Sequence, residues 1–457
     1  MNNLMDTIAA IATPAGAGGI GIIKISGEDA FAVADRVVRL KSGEKLDGLP
    51  GFTARLGTVC DSAGHLIDEA VLLVYRAPKS YTGENTVEIM CHGGEVVCET
   101  VLRETLQSGA CMATRGEFTR RAFVNGRISL TEAEAVCDII NAASKQGEAA
   151  AAALVNGALN RKTESLKAKI IELQAHITAY IDFPEEDVDE VDSDELARVL
   201  SELQAELKKL CDSFELGTDI MRGVPATIVG SPNVGKSTLL NLLAGAPKAL
   251  VTPIAGTTRD VVEQKVRLGG TTLMLADTAG IRDSDDLVES MGIELAKQKI
   301  DQSSLVLAVF DSSRPLDGND RALIQRLKNK RAIAVVNKTD LQSEIDTNEI
   351  KQAFQNVVFI SANDDNSLLL LDRAVAKAIR TDNLNTDEPI LANERQRSCA
   401  LRALELVEEA VNANDNLTLD VVFALLSEGL EALSELSGEN ASEAVLDEVF
   451  SHFCVGK

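Results

Sequence analysis

The period of apolar and polar positions changes several times along this chain. Up to about residue 120, apolar residues come in short or alternating runs at 20–25, 70–74 and 86–90, each bounded by Gly, Pro, Ser or Asn. That pattern predicts strands in a β-rich α/β segment. From about 121 to 215 the spacing becomes three to four. Leu166, Ile170, Leu173, Ile177 and Tyr180 form one such series, and Leu196, Val199, Leu203, Leu207 and Leu210 another; both predict amphipathic helices. Between about 217 and 382, apolar runs at 226–230, 272–276, 305–310, 332–336 and 357–360 alternate with helical patterns. This is the rhythm of a mostly parallel sheet covered on both faces. Helical spacing returns over about 390–450, with Leu401, Leu404, Val407 and Val411 on one face.

A chain of 457 residues is too long for one ordinary core. Two helical blocks flanking an α/β block predict one helical domain with the α/β domain inserted into it. The expected domains are 1–120, 121–216 with 383–457, and 217–382. The fold class is therefore multidomain, α/β plus all-α.

Composition narrows this picture. Hydrophobic residues make up 45% and aromatics only 3%, with no Trp, so the cores must be built from Leu, Ile, Val and Ala. No apolar run approaches the ~18 residues that cross a bilayer. The first residues have no basic stretch before an apolar core, so neither a membrane partner nor a signal peptide is expected. The net charge of −25 opposes non-specific nucleic-acid binding over most of the surface. It leaves room for a local basic patch, or for a partner that carries the RNA. Much of the acid lies in Glu185-Glu-Asp-Val-Asp-Glu-Val-Asp-Ser-Asp-Glu195, expected to be a solvated loop between helices. The eight cysteines form no C-x-x-C pair and no zinc spacing, and His65, His92 and His176 stand apart from other ligands. Reduced thiols in a chain of this size point to the cytoplasm. Gly16-Ala-Gly-Gly-Ile-Gly21 spells G-x-G-x-x-G, but the residues after it read as a strand, not the helix a dinucleotide site requires.

The strongest chemical signal is Gly230-Ser-Pro-Asn-Val-Gly-Lys-Ser237, a G-x-x-x-x-G-K-S loop. Such a loop wraps a β-phosphate in backbone N–H groups, aided here by Asn233, Val234, Gly235 and Thr238. Lys236 is placed to meet the β- and γ-phosphates and Ser237 to ligate Mg²⁺. The helix that follows turns its N-terminal N–H groups toward the anion. Asp277-Thr-Ala-Gly280 comes next, with Asp277 near Mg²⁺, Thr278 and Ala279 in the loop, and Gly280 offering its N–H to the γ-phosphate. Then comes Asn337-Lys-Thr-Asp340, in which Asp340 accepts from guanine N1 and N2, Lys338 completes the motif and Asn337 supports the loop. Ser361-Ala362 is placed to contact the base O6. The three motifs in order identify a Ras-like guanine-nucleotide domain, similar to the translation-factor-related GTPases, that binds GTP with Mg²⁺ and hydrolyses it.

Two positions sharpen the mechanism. Ile281 stands where Ras-type enzymes use a Gln to orient water, so another polar group must do that work. Asn233 lies inside the phosphate loop, and Gly256-Thr-Thr-Arg-Asp260 follows as a switch. A monovalent cation held by Asn233 and switch carbonyls would supply charge near the β/γ bridge, and Thr258 would complete the Mg²⁺ site with GTP bound.

Outside these motifs the chain resembles the MnmE (TrmE) family of bacterial tRNA-modification GTPases over essentially its whole length. The marks are Ala12-Thr-Pro, Tyr81-Thr-Gly-Glu84, His92-Gly-Gly94, Arg115-Gly-Glu-Phe-Thr119 and Phe453-Cys-Val-Gly-Lys457, with Val455 in place of the usual Ile. The resemblance implies an N-terminal α+β domain similar to folate-binding aminomethyltransferase modules, a helical domain, and the inserted GTPase domain. It implies a homodimer formed through the N-terminal domains. It also implies a heterotetramer-like complex with MnmG, the partner that carries FAD, and action on C5 of the wobble uridine of certain tRNAs with carbon from a tetrahydrofolate derivative. K⁺ would be held by Asn233, Thr252, Ile254 and Thr257, and Mg²⁺ by Ser237 and Thr258. Glu289 would orient the attacking water. Folate contacts would fall on Lys24, Glu84, Arg127 and Lys457; many relatives carry Arg where this chain has Lys24, and a point charge cannot replace a bidentate fork.

Two alternatives to a modification GTPase stay open at this stage. One is a ribosome-assembly GTPase of the Era or EngA type, which would need a basic KH-like domain that this acidic chain lacks. The other is a GTP-gated scaffold that performs no carbon chemistry. Cys454, in the setting His452-Phe-Cys, is either a thiolate that takes part in the modification or a tail cysteine packing near the folate pocket.

Overall fold

A computed structural model describes residues 6–142, 144–182, 193–245, 264–275, 298, 300–383, 388–416 and 419–457. By packing, the chain forms two units, Met1–Cys137 with Ser434–Lys457, and Asp138–Leu433.

The first unit is built on strands β1 (Ile8–Ile11), β2 (Ile20–Ser26), β3 (Val38–Leu40), β4 (Thr53–Cys60), β5 (Leu66–Tyr75), β6 (Thr86–His92) and β7 (Cys111–Met112). They form one sheet in the order β3-β4-β5-β6-β2-β1-β7. Every neighbour pair is antiparallel except β1 with β7. β2 already begins at Ile20, within Gly16–Gly21, so no helix stands where a dinucleotide loop would need one. Period-two alternation turns Ala70, Leu72 and Val74 of β5 into the core, together with Val33, Val37 and Val101 of the helices Ala30–Val37 and Glu95–Gln107.

The terminal residues pack within this same unit. Leu446, Phe450 and Phe453 bury against Leu130 and Ala133, with Phe123 and Phe450 in ring contact at 6.5 Å. The helix Glu117–Val124 runs through position 120. Its Arg120 pairs with Asp447 at 2.8 Å and with Glu443.

In the second unit, strands β8 (Val224–Val229), β9 (Gln264–Leu268), β10 (Thr271–Leu275), β11 (Leu305–Asp311), β12 (Ala332–Asn337) and β13 (Asn356–Phe359) form a sheet ordered β13-β12-β11-β8-β10-β9. It is parallel except for β9. β11 is apolar at every position from Leu305 to Phe310 because both sheet faces are covered. Leu305, Leu307 and Val309 enter one core, while Val306, Ala308 and Phe310 enter the other. The antiparallel β9 escaped the sequence reading because Lys265 and Arg267 on its exposed side break up the apolar run.

The helices Ala158–Asp182, Ser193–Asp212 and Glu394–Asn416 belong to this unit. Lys162 and Lys169 both reach Glu206 at 2.6 Å. Leu166, Ile170, Leu173 and Ile177 are buried as the spacing predicts, whereas Tyr180 is exposed. Two predicted faces hold but shift at single positions. In Ser193–Asp212, Leu196, Leu203, Leu207 and Leu210 are buried as expected, and Leu200 is buried where Val199 stays at the rim. In Glu394–Asn416 it is Ala400, Ala403, Leu404, Val407 and Ala410 that are buried, while Leu401 and Val411 stay at the rim. Alanines carry no large apolar signal, yet they share this contact surface with Leu404 and Val407.

The shifted face has a measurable consequence. Leu200→Ala should lower the unfolding free energy of the full chain by about 2–5 kcal/mol. Val199→Ala should cost less than about 1 kcal/mol, both read from urea unfolding. Equal losses would contradict the assigned face.

Candidate functional site

The phosphate loop leaves β8 at Val229 and enters the helix Lys236–Gly245. Two of its glycines are required by close approach. Gly230 has φ +154°, and a Cβ there would lie 2.4 Å from the Val309 carbonyl oxygen; Gly235 has φ +98°, and a Cβ would lie 2.2 Å from Asn337 Nδ2. Asn233 sits between them at φ +62°, a left-handed conformation that Asn tolerates better than most residues. Lys236 Nζ donates to the carbonyls of Gly230 at 2.9 Å and Ser231 at 2.8 Å, so its ammonium lies over the cradle.

Parallel strands deliver the base-recognition residues to the same end of the sheet. Asn337 closes β12 and is 2% exposed. Its Nδ2 donates to Val234 O at 2.9 Å, and its Oδ1 accepts from Ala362 N–H at 2.9 Å. One amide thus ties the phosphate loop to the Ser361-Ala362 loop. Gly235, Thr238, Lys338, Asp340 and Ala362 line a pocket of about 130 Å³ beside it. The residues present fit a guanine nucleotide: a backbone cradle with no room for a Cβ, an ammonium above it, and the exposed Asp340 carboxylate at the base end.

Sequence reasoning missed two supports. Lys338, at φ +65°, pairs with Asp311 at 2.5 Å. Burial alone would push the Asp311 carboxyl up, but hydrogen bonds from Lys338 and Ser313 hold it below the usual carboxylate range. Its only sequence signal is a carboxylate closing an otherwise apolar strand. The second support is Asp320, buried in the capping box of the helix Gly318–Leu327, which accepts from Ser231 Oγ at 2.7 Å and meets Arg314 at 2.9 Å. This fixes the first turn of the phosphate loop. The signal was Asp317-x-x-Asp320, an N-cap pattern.

Thr252, Ile254, Thr257, Thr258, Asp277, Thr278, Ala279, Gly280, Ile281 and Glu289 lie outside the described residues.

In the first unit, β2 carries Lys24 opposite Glu88 of β6. Lys24 is 9% exposed, its Nζ 4.6 Å from the Tyr81 ring centre and 4.9 Å from that of Phe118. Burial pushes its pKa down to about 8; Glu88 opposes the shift and Lys457 adds to it. Tyr81 and Thr119 share a hydrogen bond of 3.0 Å. Glu84 accepts from Ser26 Oγ at 2.7 Å and from Arg121 Nη1 at 3.2 Å. Arg121 is 1% exposed, also holds Glu117 at 2.9 Å, and leaves its Nε unpartnered. It was missed because it reads as one more helix arginine. Arg127 lies against Gly83, next to Glu84. Lys457 is close to Lys24 by charge, and its carbonyl oxygen accepts from Phe118 N–H at 3.2 Å. Lys24, Glu84, Arg127 and Lys457 are thus gathered around the Tyr81–Glu84 turn. The Lys24 ammonium beside two rings, with Lys457 near it by charge, fits an anionic ligand.

Cys454 is exposed, and its Sγ has no hydrogen-bond partner among the described residues. His452 turns instead to Glu448 at 3.2 Å. His65 and His92 pair with Asp61 and Asp68, and no metal-holding cluster occurs among the described residues. Nor is any described helix long and apolar enough to cross a membrane.

Residues 7–127 match the family description "GTP-binding protein TrmE N-terminus", and residues 130–454 match "MnmE helical domain". The chain is 39% identical over 457 residues to the tRNA modification GTPase MnmE of Acetivibrio thermocellus, covering 99% of each. It is 38% identical over 456 residues to the protein of the same name from Clostridioides difficile, again covering 99% of each. Among solved structures it is similar to the G domain of the T. maritima FeoB iron transporter, with 24% identity over 34% of this chain and 98% of that one and a TM-score of 0.26.

The Asp311–Lys338 pair predicts that Asp311→Ala weakens guanine-nucleotide binding about tenfold, the loss of one charged hydrogen bond. Titration with a fluorescent GDP analogue measures it. Unchanged affinity would remove Asp311 from the positioning of Lys338.

Proposed function

The chain belongs to the MnmE (TrmE) family of tRNA-modification GTPases, and we propose that it is a K⁺-stimulated GTP hydrolase working with the FAD-binding partner MnmG. The product is the carboxymethylaminomethyl or aminomethyl group at C5 of the wobble uridine of certain tRNAs. One observation carries this reading: a guanine-nucleotide site centred on Asn337 and a buried Lys24 ammonium set between the Tyr81 and Phe118 rings occur in the same chain.

In the nucleotide site, Lys236 would neutralise the β- and γ-phosphates, and Ser237 with Thr258 would hold Mg²⁺. Asn233, Thr252, Ile254 and Thr257 would hold K⁺. Asn233, exposed and left-handed within the phosphate loop, supports this. That cation would supply the charge that an arginine finger gives elsewhere, and Glu289 would orient water in place of the missing Gln. In the first unit, Lys24, Glu84, Arg127 and Lys457 bind a tetrahydrofolate derivative, which supplies a one-carbon unit when bound. Arg121 holds Glu84 in place.

The proposed homodimer is supported by the sheet of the first unit. Ile22, Met90, Val71 and Leu56 stand in register across four strands on the face away from the two helices. Val71 and Leu56 are 39% and 45% exposed. An apolar stripe of this kind favours a partner surface. The cytoplasm is the compartment that suits eight cysteines in thiol form and a tRNA substrate. A second reading, a GTP-gated scaffold without carbon chemistry of its own, is favoured by one observation: Cys454 lacks a histidine partner.

GTP turnover measured in K⁺ and in Na⁺ at equal ionic strength, with and without the FAD-binding partner, tests the cation mechanism. Suppression in Na⁺ is expected, because the smaller ion does not fill the same cage. Equal rates in the two salts would take the cation out of the mechanism.

A further inference from the structure

At the end of the second sheet opposite the nucleotide pocket lies a polar groove of about 660 Å³. It opens where β12 begins at Ala332 and β13 at Asn356, whereas the guanine residues follow the other ends of these strands. A strand of that length separates the two sites by about 15–20 Å. Lys328, Lys330 and Arg331, in the connection from the helix Gly318–Leu327 to β12, form one wall; Lys377 and Arg380, at the end of the helix Ser367–Ile379, contribute to the other.

These five cations differ in how they are used. Lys330 reaches Asp301 at 3.4 Å, and Arg331 pairs with Asp219 and with Glu215 at 3.4 Å. These pairs anchor the groove: Asp219 is buried, which pushes its carboxyl up despite Arg331. Lys328, Lys377 and Arg380 are exposed, and among the described residues their side chains have no carboxylate or hydrogen-bond partner. Three unpaired cations around one groove stand out in a chain with a net charge of −25.

The architecture limits what such a groove can hold. Gly318–Leu327 and Ser367–Ile379 both end here, so they present carbonyl ends rather than N–H donors. Basic residues near helix ends also complement the dipole, but that role needs no cavity between them. Without a nest of backbone N–H groups, a single phosphate or nucleotide has nothing to enclose it. Separate side-chain cations along an open groove suit successive phosphates of an extended backbone.

We propose that the groove bearing Lys328, Lys377 and Arg380 grips the phosphodiester backbone of the tRNA substrate. This deepens the proposed function and rests on its tRNA reading. The contacts are sequence-independent, so they hold and orient the RNA while leaving the choice of base to other groups. The position of the groove leaves the nucleotide pocket open to GTP while RNA is bound.

The test measures binding of a fluorescently labelled tRNA transcript to the full chain by anisotropy, between about 50 and 200 mM salt. For Lys328→Ala/Lys377→Ala/Arg380→Ala, affinity should fall about tenfold and the slope of log K against log salt should become shallower by about 3, near one for each lost phosphate contact. GTP turnover without tRNA and the melting temperature should stay at wild-type values. Lys328→Arg/Lys377→Arg should bind like wild type, which separates charge from folding. Unchanged affinity and slope in the triple alanine variant would overturn the groove while leaving the tRNA reading intact. A wild-type chain that bound no tRNA at any salt would overturn both. Displacement of tRNA by polyglutamate as effectively as by unlabelled RNA would assign the groove to an acidic peptide and overturn the proposal.

Discussion

The nucleotide site depends on the side-chain amide of Asn337. It is buried, it spends its donor on the phosphate loop at Val234, and it spends its acceptor on the base loop at Ala362. A buried amide left half-satisfied costs roughly 1–3 kcal/mol, so both loops are held in the one arrangement that satisfies it. Parallel β8 and β12 make this possible by ending at the same edge of the sheet, on either side of β11. The remaining supports extend the same logic. Asp311 fixes Lys338 beside the base, and Asp320 fixes Ser231 at the start of the phosphate loop. These contacts tie the phosphate and base loops together without a ligand, which lowers the ordering cost of binding.

The first unit shows a different use of burial. Lys24 lies beside two rings, and its burial outweighs the opposing charge of Glu88, so its proton is easier to lose. The neighbouring charges are handled in the opposite way: Arg121 is fully buried but shared between Glu84 and Glu117. Arg121 is thus committed to its two carboxylates, whereas Lys24, with Lys457 near it by charge, is the cation placed to meet an anionic ligand.

Much of this was legible in the sequence, and the exceptions share a cause. The phosphate loop and the Asn337–Asp340 motif are contiguous, and each follows an apolar strand, so local pattern suffices. The same holds for the helix carrying Leu166, Ile170 and Ile177. Asp311, Asp320 and Arg121 were not legible as site residues, because their partners lie 27, 89 and 37 positions away. Each alone reads as an ordinary polar residue. Small-residue contacts were missed for a related reason: Ala400 and Ala403 carry no periodic apolar signal, yet the helix Glu394–Asn416 buries them fully. The folate positions came from resemblance alone. Spacing could not connect Lys24 with Lys457, which only the three-dimensional path of the chain brings near each other.

The account therefore turns on one amide. Binding of a fluorescent GDP analogue to wild type and to Asn337→Ala, with circular dichroism to verify the fold, probes it directly. Loss of both loop contacts should weaken binding by at least about a hundredfold while the secondary structure persists. Affinity within about twofold of wild type would mean that the two loops are held by something else, and the central claim would fail.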